Sequence, residues 1–156
     1  MISLYDAYSR PSELVGYDKH NLHLLVPKYA YDYARNNYKW WQDDLKEKVI
    51  KVLLKSPKFT YYYAKNILCT EFPQGKPIIA TSSGYSVCYA ADVIKRRFPL
   101  GEPIIATSAE DSYFYAVEVI GGCFKMGEPA ILKDPKFSKK YEHILYGDHD
   151  INDESI

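Results

Sequence analysis

The chain has no surplus of either charge. Its 20 Lys and Arg are balanced by 20 Asp and Glu over 156 residues, so no overall field draws it toward nucleic acid or an anionic membrane. It also lacks any apolar run near the roughly 18–20 residues that cross a bilayer, and its opening MISLYDAYSRPSELV has neither a basic start nor an apolar stretch. A helical span and a secretory leader are therefore not expected, and a cytoplasmic location is. Cysteine is scarce: Cys69, Cys88 and Cys123 form an odd set, which predicts buried, reduced thiols rather than a disulfide framework. Nor is there a Gly-rich phosphate loop, a G-x-S-x-G, an HExxH or a CxxC. The expectation is a protein that is not an enzyme and holds no cofactor or metal.

What the chain does have is a period. SPKFTYYYAKNILCTEFPQGKPIIAT (56–81), SSGYSVCYAADVIKRRFPLGEPIIAT (82–107) and SAEDSYFYAVEVIGGCFKMGEPAILK (108–133) align without a gap at 26 residues each. A partial copy, DPKFSKKYEHIL, fills 134–145. A degenerate first copy fills 27–55, where PKYAYDYARN matches PKFTYYYAKN and WWQDDLKEKVIKVLLK predicts a longer second helix. A fixed period of this size marks stacked supersecondary units.

Within a unit, Ser56, Ser82, Ser108 and Asp134 recur at one phase and suit the start of a helix, with Pro57 and Pro135 at its first position. The pairs Tyr63-Ala64, Tyr89-Ala90 and Tyr115-Ala116, with Phe59, Ile67, Tyr85 and Val93, form a buried stripe at helical spacing. That helix is expected to end near Phe72, Phe98 and Phe124. Gly75, Gly101 and Gly127 then supply a left-handed turn, and Pro77, Pro103 and Pro129 open a short second helix. Its Ile78/Ile79, Ile104/Ile105 and Ile131/Leu132 line the inside.

The fold predicted is an all-α, single-domain, right-handed α-solenoid of helix plus short helix or 3₁₀ repeats. Residues 1–26, with an amphipathic turn at Ile2, Leu4, Tyr5 and Tyr8, form an N-terminal cap, and 146–156 an acidic disordered tail. His20 and His23, three apart, read as packing or surface histidines, since no Cys or third His is near. Asp148, His149, Asp150 and Asp153 in the tail have no framework to hold an ion.

The strings FPLGEPIIA and CYAADVIKRRF resemble short tandem helical repeats of phage and bacterial proteins, with a geometry similar to the leucine-rich-repeat variant. The likeness covers about residues 27–145. It implies an interaction scaffold, phage-encoded and inhibiting a host defence protein, and it brings no catalytic residues.

Binding is expected where the copies differ while the frame holds: Thr60/Ser86/Ser112, Tyr61/Val87/Tyr113, Tyr62/Cys88/Phe114, Lys65/Ala91/Val117 and Asn66/Asp92/Glu118. Sixteen tyrosines supply aromatic contact area. Neighbours on a helix point about 100° apart, so Tyr61, Tyr62, Tyr113 and Phe114 become candidate partner contacts. Trp40 and Trp41 are read as packing against the cap. Lys95-Arg96-Arg97, at the predicted end of a helix, is a second candidate surface, for a protein or for single-stranded nucleic acid held by stacking and charge. A nucleotide sequestered between aromatic rings is a third reading. Phe137, Tyr141, Ile144 and Leu145 supply half a unit and offer a face for self-association.

Overall fold

The computed structural model describes residues 19–37, 39 and 42–146, and all regular structure among these residues is helical. The turn at Ile2–Tyr8, Trp40 and Trp41, the His20 side chain and the acidic tail lie outside the described residues. Two compact units divide the chain, Met1–Ile79 and Ala80–Ile156.

In the first unit a 3₁₀ turn (Lys19–Leu24) leads to α1 (Pro27–Asn37), α2 (Asp43–Leu53) and α3 (Pro57–Tyr63). α1 packs on the 3₁₀ turn, on α2 and on α3. Its contact residues are small: Ala30 and Ala34 are fully buried, which lets the helices approach closely. Val49, Val52 and Leu53 of α2 and Phe59, Tyr61 and Tyr63 of α3 complete this core. α2 begins as its sequence suggests, with Asp43 and Asp44 in the first turn, where carboxylates favour the helix dipole. α3 opens on Pro57 and runs on as a five-residue π-helical turn, Ala64–Leu68. A 3₁₀ turn, Pro73–Gly75, then leads to α4 (Lys76–Ile79).

The second unit repeats this plan. α5 (Ser83–Tyr89) continues as the π turn Ala90–Ile94 and is followed by the short α6 (Glu102–Ile105). α7 (Ala109–Tyr115) continues as Ala116–Ile120 and is followed by α8 (Glu128–Ile131), and α9 (Pro135–Tyr146) closes the described chain. α5 packs on α6 and α7, and α7 on α8 and α9. In all three full copies the Tyr ring meets the following Phe edge-on, at 5.3 Å for Tyr63–Phe72, 5.3 Å for Tyr89–Phe98 and 5.0 Å for Tyr115–Phe124. Ile79, Ile105 and Ile131 are fully buried at one phase.

Several expectations are corrected. The long helix ends at Leu68, Ile94 and Ile120, four residues short of the phenylalanines. It is closed by Cys69, Lys95 and Gly121 in left-handed conformation, φ 53°, 50° and 65°. At the end of the third of these helices the Gly122 N–H donates to Ala116 O at 3.1 Å, as a left-handed helix stop requires. Gly101 and Gly127 are right-handed, φ −91° and −88°, and are glycine for another reason. A Cβ on Gly101 would lie 2.6 Å from the Phe98 ring and 2.8 Å from Ser86 Cβ.

In the second copy Ile94 is buried and Val93 only half so, whereas in the first copy Ile67, at the phase of Val93, is the buried one. Leu132 lies 53% exposed rather than inside. Thr60, Ser86 and Ser112 are fully buried. Thr60 Oγ1 donates to Leu53 O at 2.9 Å and Ser112 Oγ to Ile105 O at 2.9 Å, so the hydroxyl at this phase pins α3 to α2 and α7 to α6, and its burial keeps it from reading a partner. Ser56 and Ser82 make no side-chain cap bond, whereas Ser108 accepts from Asp111 N–H and Asp134 from Lys136 and Phe137 N–H. All three cysteines are exposed. Cys69 sits on the left-handed helix stop, Cys88 at the outward phase of Tyr62 and Phe114, and Cys123 in the loop before Phe124.

Candidate functional site

The buried frame of the second unit determines what remains outside. Tyr115 reaches back to the loop of the preceding copy, where its Oη accepts from Phe98 N–H at 2.6 Å and donates to Glu102 Oε1 at 2.9 Å. Arg97 grips the same carboxylate with one edge of its guanidinium, Nε donating to Oε1 at 2.8 Å and Nη2 to Oε2 at 2.9 Å. The Arg97 fork, assisted by the Tyr115 hydroxyl, holds the Glu102 carboxyl below its ordinary value against the opposing effect of burial. Burial drives the Tyr115 hydroxyl up to about 12. The next copy is built alike: Tyr141 Oη accepts from Phe124 N–H at 2.7 Å and donates to Glu128 at 3.3 Å, and Lys125 replaces the arginine at 3.1 Å. In the first unit the same two loop positions carry the opposite charges, Glu71 and Lys76, 2.7 Å apart.

Arg97 is therefore a structural ion-pair partner. Lys95 sits on the helix stop and Arg96 beside it, both exposed, so the three basic residues follow a helix end and do not lie along a helix face.

The aromatic candidates divide between the units. Tyr61 is 4% exposed, its ring 5.3 Å from that of Tyr62 with Lys65 Nζ 5.6 Å above it; it is a core residue and is withdrawn as a partner contact. Tyr62 is half-buried among Tyr31 at 5.9 Å and Phe59 at 6.4 Å. In the second unit Tyr113 is half-buried between Phe114 and Phe137, each 5.6 Å away, under Lys140 Nζ at 5.8 Å. Phe114, 41% exposed, stands out from the surface, as does Val117 at 40%.

Phe114 opens onto a groove of about 570 Å³ between α5 and α7 with their π turns. Tyr85, Val87, Cys88, Ala91 and Phe114 give it an apolar floor and wall, and Asp92, Asp111 and Glu118 supply its charge. No Lys, Arg or His lines it. Asp111 is tied into the groove's end, accepting a short hydrogen bond from the Ser83 hydroxyl, while Asp92 and Glu118 are exposed. Among the described residues, no three acids, histidines or cysteines lie close enough together to hold a metal ion. Ala91, Asp92 and Glu118 lie at phases where the sequence led binding to be expected; Tyr85 and Asp111 were not named as site residues. The signal existed at the phase Asn66/Asp92/Glu118, which turns acidic in the later copies, but which of its neighbours share a wall depends on the π turn.

The sequence matches no family model, no curated protein and no solved structure. No described helix is long and apolar enough to cross a membrane.

Proposed function

We propose that the chain is a non-catalytic, solenoid-type repeat module that binds another protein through the outer face of its long helices. One observation supports this above the rest. The phases that differ between copies, Cys88/Phe114 and Asp92/Glu118, line the groove together with Ala91, while Tyr89/Tyr115, Ala90/Ala116 and Ser86/Ser112 repeat and are buried. A frame held constant with one varied, concave, partly apolar face is what recognition on a repeat scaffold requires.

Single-stranded nucleic acid is the weaker reading, because the groove's carboxylates repel phosphate and Arg97 is committed to Glu102. Following the resemblance to phage repeats, the proposed partner is a host protein that the module blocks. Capture from bacterial lysate with wild type beside Phe114→Asp tests the reading. A partner present for wild type and lost for the variant is expected. Identical partner lists, with the variant's melting temperature unchanged, would remove this face from consideration.

A further inference from the structure

We infer that α9 is a built stop to the repeat, a charged end face that keeps a second copy of this chain from packing where a further repeat would lie. This goes beyond the protein-binding reading, which concerns the outer face of the long helices. Within the second unit each long helix is covered by the next, α5 by α7 and α7 by α9. The Tyr113 ring meets Phe137 of the following copy at 5.6 Å, and in the first unit the Tyr31 ring meets Phe59 of the following copy at 6.0 Å. The phase Tyr31/Tyr61/Val87/Tyr113 therefore faces the copy that follows, and it is buried or half-buried each time. In α9 this phase carries Lys139, and it is exposed.

A second phase changes in the same way. Ala34, Ala64, Ala90 and Ala116 are all fully buried, and a methyl group there lets neighbouring elements close on the helix. The residue of α9 at this phase is Glu142, and it too is exposed. A further copy laid on α9 would take an ammonium and a carboxylate out of water together, and the desolvation of such a pair commonly outweighs its attraction. The longer Glu142 side chain would also hold the incoming element off at a position where the repeat uses its smallest side chain.

The period breaks just beyond, since Asp150 and Asp153 stand at the phases of Phe124 and Gly127. Nor do Phe137 and Tyr141 offer an apolar face for self-association, because both are buried inside their own unit, with the Tyr141 hydroxyl bonded to Phe124 N–H and Glu128. A polar outer face on the terminal copy is what keeps a repeat array from adhering to itself.

Light scattering on a size-exclusion column, over a concentration series of the full chain, tests this. Wild type should keep the monomer mass throughout. Lys139→Tyr/Glu142→Ala, which restores the repeat's own residues at both phases, should associate as concentration rises, with the mass growing about twofold if two end faces meet as a symmetric pair. Two further variants separate phase and charge from general apolar adhesion. Lys140→Tyr/His143→Ala carries the same residues one position further round the helix, at phases that no earlier copy fully buries, and should stay monomeric. Lys139→Glu/Glu142→Lys keeps the end charged and should stay monomeric as well. All substituted residues are exposed, and an unchanged melting temperature would show each variant folded; Glu142→Ala alone, a change to the best helix former, carries the test if the tyrosine impairs folding. Association of wild type, a folded restoring variant that stays monomeric, or equal association by the shifted or charge-exchanged variant would each overturn the inference.

Discussion

Three glycines of the repeat and three residues at the helix stops were easy to confuse, because both sets sit in the loop between a long helix and a short one. Their costs differ in kind. At Gly101 a methyl group meets the Phe98 ring and Ser86, so Gly101→Ala should destabilise by about 1–3 kcal/mol through overpacking. At Gly121, φ is 65° and nothing lies within 4 Å, so Gly121→Ala should cost about 1–2 kcal/mol through backbone strain alone. Lys95 bears that strain already, at φ 50°. Lys95→Gly is expected to raise stability by about 0.5–1 kcal/mol, read as a higher denaturation midpoint in urea. A lower midpoint would mean that the lysine side chain, rather than the backbone, holds the stop. The sequence showed that glycine was needed at 75, 101 and 127, but a turn and a close approach leave the same letter. Only the buried hydroxyl opposite, at 60, 86 and 112, distinguishes them, and serine and threonine at a varying phase read equally well as surface.

Along an element, period and phase were legible: the α3, α5, α7 and α9 starts, the buried Tyr-Ala pairs and the short helices after each Pro all follow from spacing. What spacing does not carry is the π turn. An extra residue per turn shifts the side chains around it, which is why the varying Asp92/Glu118 phase was named from the sequence but not assembled with its neighbours into one groove. The tyrosine hydroxyl was hidden as well, since a buried ring accounts for the residue without it. Its bonds across successive copies make Tyr115→Phe a sharp test. The Phe98 N–H would lose its acceptor in a buried site and Glu102 Oε1 one of its two donors, costing about 1–3 kcal/mol, whereas a ring serving packing alone would lose a few tenths. Chemical denaturation of Tyr115→Phe beside a half-buried control, Tyr113→Phe, separates the two.

At the scale of the whole molecule these clips give stability a pH dependence, and they act with opposite signs at the two ends. Glu102 has a folded-state pKa below the ordinary 4.5 because Arg97 and Tyr115 favour its charged form. Its contribution is present above pH 4.5 and is lost as pH falls through the lowered folded value. Tyr115 and Tyr141 are raised from the ordinary 10.0 to about 12, chiefly by burial. Burial raises Tyr63 as well. Their neutral form is the one the fold accepts, so their contribution is complete below pH 10.0 and drains away between 10.0 and about 12, as the unfolded chain ionises and the folded one cannot. The melting temperature should therefore be level between about pH 5 and 10 as far as these groups decide it, and fall on both sides. Melts followed by circular dichroism would resolve the two limbs through their variants. Glu102→Gln should flatten the acid limb and trim the alkaline one only by the part of the Tyr115 rise that Glu102 supplies, and Tyr115→Phe/Tyr141→Phe should flatten the alkaline limb down to the share of Tyr63 while shrinking the acid limb only by what the Tyr115 hydroxyl contributes at Glu102. An alkaline limb unchanged in the double variant would mean that the hydroxyls titrate alike in folded and unfolded chains, and that the clips between copies do not bear on stability.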